Sequence, residues 1–108
     1  MRFNQKKLRR KKLKMRVKVK MLGLLKKACG KPEVLMELDE NSRLKDVISK
    51  IIEESKDLKN LLLDPELKDP RPNTIILVNG KEISVLSGLE TEIEDGDEIT
   101  IIPIIHGG

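Results

Sequence analysis

The residues best able to do chemistry stand together at the end of the chain. After the apolar run Ile99 to Ile105, broken only by Thr100, come His106, Gly107 and Gly108. A diglycine has no Cβ to obstruct a close approach and leaves φ free, so a carboxylate on Gly108 can be threaded into a narrow cleft. Read without context, the same residues are the frayed end of a strand. The other chemistry-bearing groups are sparse. His106 is the only histidine, and no cysteine or carboxylate cluster lies near it, so no metal site is expected. Cys29 has Lys26, Lys27 and Lys31 close in sequence but no histidine companion to act as its base, and it is read as a packing residue. Six acids, Glu90, Glu92, Glu94, Asp95, Asp97 and Glu98, precede the last apolar run with no base among them. They form either a solvated loop or a surface that steers a basic partner.

A chain of 108 residues offers one core and no room for an enclosed active site with a substrate domain. One aromatic residue, Phe3, leaves that core to aliphatic side chains. The net charge of +4 hides two opposite parts. Residues 1–14 carry eight Lys or Arg and no acid, while residues 15–108 carry 14 basic against 18 acidic residues. No uncharged stretch approaches the roughly 20 residues of a membrane span. The basic start lacks the apolar segment of a secretory signal, and a lone cysteine suits a reducing compartment, so a cytoplasmic protein is expected.

The elements that must hold the terminus follow from periodicity. Residues 1–14 have apolar side chains only at Met1, Phe3, Leu8 and Leu13, which form no face, and a disordered arm is expected. From Met15 the sequence alternates: Met15, Val17, Val19 and Met21 on one side, Arg16, Lys18 and Lys20 on the other, a half-buried strand. GLLKKACGKP reads as a loop holding at most a helical turn. Val34, Met36 and Leu38 mark a second strand. Leu44, Val47, Ile48, Ile51 and Ile52 make one helical stripe, with Asn41 or Ser42 placed to cap it. A short helical segment with Leu58, Leu61 and Leu62 is closed off by Pro65, Pro70 and Pro72. Asn79-Gly80 between two β-branched runs predicts a hairpin. One stripe on one sheet face is an α+β two-layer design. In such a design Ile99 and Ile101 supply the core, and Ile102 and Ile104 point to the opposite face, where exposed apolar side chains invite a partner. Pro103 removes a ladder donor between them.

Three stretches, ILVNGKEI, SGLETEIEDGDEITIIP and HGG, resemble the β-grasp, ubiquitin-like sulfur carriers. That group includes the molybdopterin synthase small subunit, the thiamine sulfur carrier, the ubiquitin-related modifier and the archaeal small modifiers. The resemblance runs from about Met15 to Gly108. It implies a mixed sheet with one main helix packed on one face, over a domain of residues 15–108 preceded by the arm 1–14. The arm lies outside the family pattern, and Leu and Ile stand where the group often has aromatic residues.

The resemblance also implies a role. The chain is then a carrier rather than an enzyme. Its Gly108 carboxylate is adenylated by a ubiquitin-activating-enzyme-like adenylyltransferase that consumes ATP. A persulfide protein then converts it to a thiocarboxylate for molybdopterin or tRNA thiolation, or the activated acyl group reaches a protein lysine. Gly107 and His106 would thread into the partner cleft, Ile102, Pro103 and Ile104 would dock against the partner, and the molybdopterin synthase large subunit is a further candidate partner. No bound cofactor and no metal are implied. Six residues from Pro103 to Gly108 reach roughly 20 Å when extended, enough to enter a neighbour's site. The competing readings are a nucleic-acid-binding module using the basic arm, which the scarcity of aromatics and the acidic body disfavour, and a ubiquitin-like interaction domain that is never activated.

Overall fold

The computed structural model describes residues 13–104. The expectations placed on residues 1–12, and on Ile105, His106, Gly107 and Gly108, lie outside the described residues.

Five strands form one mixed sheet in the order β2-β1-β5-β3-β4. Strand β1 (Lys14–Met21) begins one residue before the alternating run that predicts it, because Lys14 continues the ladder opposite Asp39. It pairs antiparallel with β2 (Glu33–Asp39) and parallel with β5 (Glu98–Pro103), setting Val19 opposite Val34 on one side and Ile99 on the other. Strand β5 pairs antiparallel with β3 (Thr74–Val78), which places Ile102 opposite Ile75 and Pro103 opposite Thr74. The three interior strands, β1, β5 and β3, are therefore held on both flanks.

Asn79 and Gly80 turn the chain between β3 and β4 (Lys81–Glu82), both with positive φ, at 51° and 83°. This is the hairpin that the Asn-Gly pair predicts. The return strand is only two residues long. Ile83 leaves the ladder through a 3-10 turn, Ile83–Val85, and enters the core at 2% exposure.

One long helix, with two shorter ones beside it, covers the inner sheet face. Of the predicted stripe on α2 (Leu44–Glu54, following the short helix α1, Gly23–Cys29), Leu44, Val47, Ile48 and Ile51 are buried and Ile52 is half-buried. Helix α3 (Lys56–Leu62) adds Leu58 and Leu62, and the Ser55 side chain caps it by accepting the Leu58 N–H. From the sheet side Met15, Val17, Val19 and Met21 meet these helices together with Ile76, Val78, Ile99 and Ile101.

Two local expectations are corrected. GLLKKACGKP holds a helix, α1 (Gly23–Cys29), in place of a loop. Seven residues are too few for a periodic signal and too short to be helical alone. The helix persists because Leu25 is buried in the core and because Gly30, at φ 84°, stops it by donating its N–H to the Lys26 carbonyl. At the start of α2 neither Asn41 nor Ser42 caps. The Asp46 carboxylate accepts the Arg43 N–H, and the Ser42 hydroxyl donates instead to the Asp39 carbonyl. The α2 start is pulled away from Ser42 because the Leu44 N–H is taken by the Thr91 carbonyl of the loop before β5.

Candidate functional site

The site consists of the last strand and what fixes it. Ile99 and Ile101, both fully buried, anchor the inner face of β5 as the alternation predicts. Just before α1 the chain passes close to the strand's end, and the Leu22 N–H donates to the Ile101 carbonyl at 3.2 Å. The next residue, Gly23, has φ 56°, and a Cβ built on it would lie 3.0 Å from Pro103 Cγ. On the other flank the Ile104 N–H donates to the Asn73 carbonyl at 2.9 Å. The strand is thus clamped on both edges up to its final described residue.

Ile104 is exposed, in line with the expectation that it faces away from the core. Ile102 and Pro103 are half-buried rather than open. Ile102 pairs with Ile75, an exposed isoleucine of β3, and Pro103 sits against Gly23. Strand alternation puts Ile75, Leu77, Thr100 and Ile102 on the sheet's outer face, so the apolar surface beside the tail is wider than the last strand alone. Sequence reading missed Ile75 and Gly23. Ile75 was legible, since the Asn-Gly turn fixes the register of β3 and hence which residues alternate outward. Gly23 was not, because its role depends on a contact 80 residues away.

The motifs that carried the family resemblance act as struts. The Asn79 amide nitrogen donates to Asp97 Oδ1 at 2.8 Å, and the Glu98 N–H donates to Asn79 Oδ1 at 2.9 Å. Asp97 Oδ2 accepts the Glu94 N–H at 2.8 Å, closing the Glu94–Asp97 turn in which Gly96 takes φ 87°. Asp95 Oδ1 accepts the Arg16 N–H, and the Gly96 N–H donates to the Arg16 carbonyl, each at 2.8 Å. The Asn-Gly and Asp-Gly-Asp turns are therefore bonded to each other and to β1, which sets the register that delivers β5 to the tail.

Cys29 lies apart from this machinery. It is half-buried and packs against the core near Met21 and Met36. Of the acidic residues before β5, Glu90 is bonded to Lys45 at 3.1 Å and Glu98 approaches Lys20 at 3.4 Å. No helix among the described residues is long and apolar enough to cross a membrane.

The model of the ThiS family matches residues 19–108. Small archaeal modifier protein 3 of Haloferax volcanii is 26% identical over 95 residues, covering 87% of this chain and 100% of the relative. Ubiquitin-related modifier 1 of Schizosaccharomyces pombe is 30% identical over 100 residues, with 87% and 100% covered. Among solved structures, the solution structure of small archaeal modifier protein 1 from Methanosarcina acetivorans superposes with a TM-score of 0.74 at 32% identity, over 89% of this chain and 99% of that one.

Proposed function

The chain belongs to the ThiS family, a β-grasp group of sulfur carriers and ubiquitin-like modifiers, and from that premise we propose that Gly108 is its working residue. In this reading the Gly108 carboxylate attacks the α-phosphorus of ATP on an activating enzyme, pyrophosphate leaves, and an acyl adenylate forms. The terminal sulfur of a protein persulfide attacks the acyl carbon and AMP leaves. A second thiol then attacks the sulfur bonded to the donor protein; it takes up the disulfide and frees a thiocarboxylate on Gly108. Alternatively a lysine amine attacks the activated acyl carbon and gives an isopeptide. The chain itself contributes no base and no oxyanion donors. It is the co-substrate.

The observation that carries this reading is the clamp on β5. Strands on both flanks, Leu22 and Asn73 fix the chain through Ile104, so residues 105–108 start from a defined point. Those four residues extend roughly 13 Å, enough to cross a partner's rim. The docking surface beside them is the outer-face patch of Ile102 and Ile104, widened by Ile75, while Pro103 alternates to the inner side opposite Thr74 and against Gly23. The partners it suits are the activating adenylyltransferase, the persulfide donor and, where present, a synthase large subunit.

Intact-protein mass measurement after incubation with ATP, an activating enzyme of this family and a persulfide donor tests the proposal. A gain of one sulfur-for-oxygen exchange is expected. Deleting Gly108, or adding an alanine after it, moves the carboxylate by about 3.3 Å, more than an attack geometry tolerates. Either change abolishes adenylate formation and leaves the unfolding transition unchanged. Normal adenylation of the Gly108 deletion overturns the reading.

A further inference from the structure

At the pole opposite the tail the structure holds an open groove of about 680 Å³. Three segments wall it: the start of β1 with Leu13 and Lys14, the turn after β2 with Glu40 and Asn41, and the turn before β5 from Glu92 to Asp95. Its cations are already engaged. Lys14 bonds Asp39 at 2.7 Å, and Arg43 donates to the Glu90 carbonyl and approaches the Glu92 carboxylate. Glu40 and Glu94 have no cationic partner among the described residues, and Asp95 spends one oxygen on a backbone N–H. The groove is left with a negative lining over an apolar floor that includes Met15 and Ile93.

The chain that precedes the groove has the opposite charge. Residues 1–12 hold Arg2, Lys6, Lys7, Arg9, Arg10, Lys11 and Lys12 and no acid. They enter the fold at Leu13, which is itself a wall of the groove and whose carbonyl accepts the Glu40 N–H at 3.1 Å. The four consecutive cations Arg9 to Lys12 span only about 13 Å of chain. A tether that short supplies a millimolar effective concentration for an intramolecular contact with the groove.

We propose that the basic segment Arg2–Lys12 docks in this acidic groove of its own chain. The docking is electrostatic and reversible, and it does not depend on the carrier reading. Its consequence is a change of sign. With the arm bound, the pole presents cations; with the arm displaced, it presents Glu40, Glu92, Glu94 and Asp95 to a basic partner. Neither state covers the Ile104 end of β5. The eight residues of β1 put about 25 Å between the groove and the end at which parallel β5 delivers Ile104.

The test is nuclear magnetic resonance on the full chain, following the amides of Arg9–Lys12 and of Glu40, Asn41, Glu92 and Glu94. Raising salt from about 0.01 M to 1 M shortens the Debye length from about 30 Å to 3 Å and should lower the docked fraction several-fold. Both sets of amides then shift together and the arm's heteronuclear NOE values fall. The double variant Glu40→Gln/Glu94→Gln should give the same arm shifts at low salt while core amides such as Val19 and Ile99 stay in place. Tenfold dilution should change nothing. Arm amides that ignore both salt and the double variant overturn the proposal. Shifts that vanish on dilution also overturn it, since the groove would then be filled by the arm of a second copy.

Discussion

Replacing Gly23 by alanine isolates the clamp on the tail from the rest of the fold. Two costs add at this position. An L side chain at φ 56° carries the left-handed penalty of about 1–2 kcal/mol. The new Cβ also lies 3.0 Å from Pro103 Cγ, inside the optimal carbon separation of about 3.5–4.0 Å. Only one atom, the Pro103 ring carbon Cγ, lies that close, so the crowding falls at the low end of the overpacking range, about 1 kcal/mol. Gly30 provides the control. It has φ 84° with nothing within 4 Å of its Cβ position, so Gly30→Ala bears the backbone cost alone. Denaturant and thermal unfolding should therefore find Gly30→Ala less stable by about 1–2 kcal/mol and Gly23→Ala by about 2–3 kcal/mol. For a domain of this size these are falls in Tm of roughly 5–15 °C and 10–20 °C. Adding Pro103→Ala to Gly23→Ala should restore the difference, a coupling of about 1 kcal/mol in a double-mutant cycle. Equal losses for the two glycine variants, or no coupling with Pro103, would refute the clamp.

Further outcomes follow from the same geometry. Asp97→Ala removes the acceptor for both the Asn79 amide and the Glu94 N–H, and should cost about 1–3 kcal/mol in chemical denaturation while adenylation persists below the lowered Tm. Ile75→Ser at the exposed outer face should leave stability within about 0.5 kcal/mol yet weaken binding to the activating enzyme in titration calorimetry. Ile99→Ala, by contrast, should cost about 2–5 kcal/mol, because Ile99 is fully buried. The Arg71 guanidinium bonded to Asp69 holds the Asp69 carboxyl below its ordinary value of 3.8. Its contribution is present above that value and is lost as pH falls through the lower folded one, so Asp69→Asn should lower the neutral plateau and flatten the fall in stability below pH 3.8, leaving the most acidic end unchanged.

Most of this fold was legible because its long elements carry complete periods. The β1 alternation buries every side chain its spacing assigns, the α2 stripe buries all but the half-buried Ile52, and Asn79-Gly80 states its turn in two residues. What escaped has one physical cause: it depends on partners far along the chain. Helix α1 exists because Leu25 finds the core, and α2 is capped from Asp46 because Thr91 claims the Leu44 N–H. The two-residue β4 ends where Ile83 turns inward. Around the tail the same limit applies. The buried face of β5 followed from alternation, whereas the half-burial of Ile102 and Pro103 required Ile75 and Gly23 to arrive beside them.

The motif residues and the tail divide the work, and the division explains why the motif is spread over three stretches. A carboxylate offered to a partner must leave from a fixed point, and a strand's end is fixed only if its register is fixed. Register can slip wherever alternating apolar residues tolerate a two-residue shift, as Ile99, Ile101 and Ile75 to Leu77 would. Asn79 bonded to Asp97 and Glu98 pins β5 against β3, while Asp95 and Gly96 bonded to Arg16 pin it against β1. A slip of two residues would break all of these together and displace the tail by about 7 Å. The polar turns thus specify, at the far end of the sheet, where the last residues emerge at the near end.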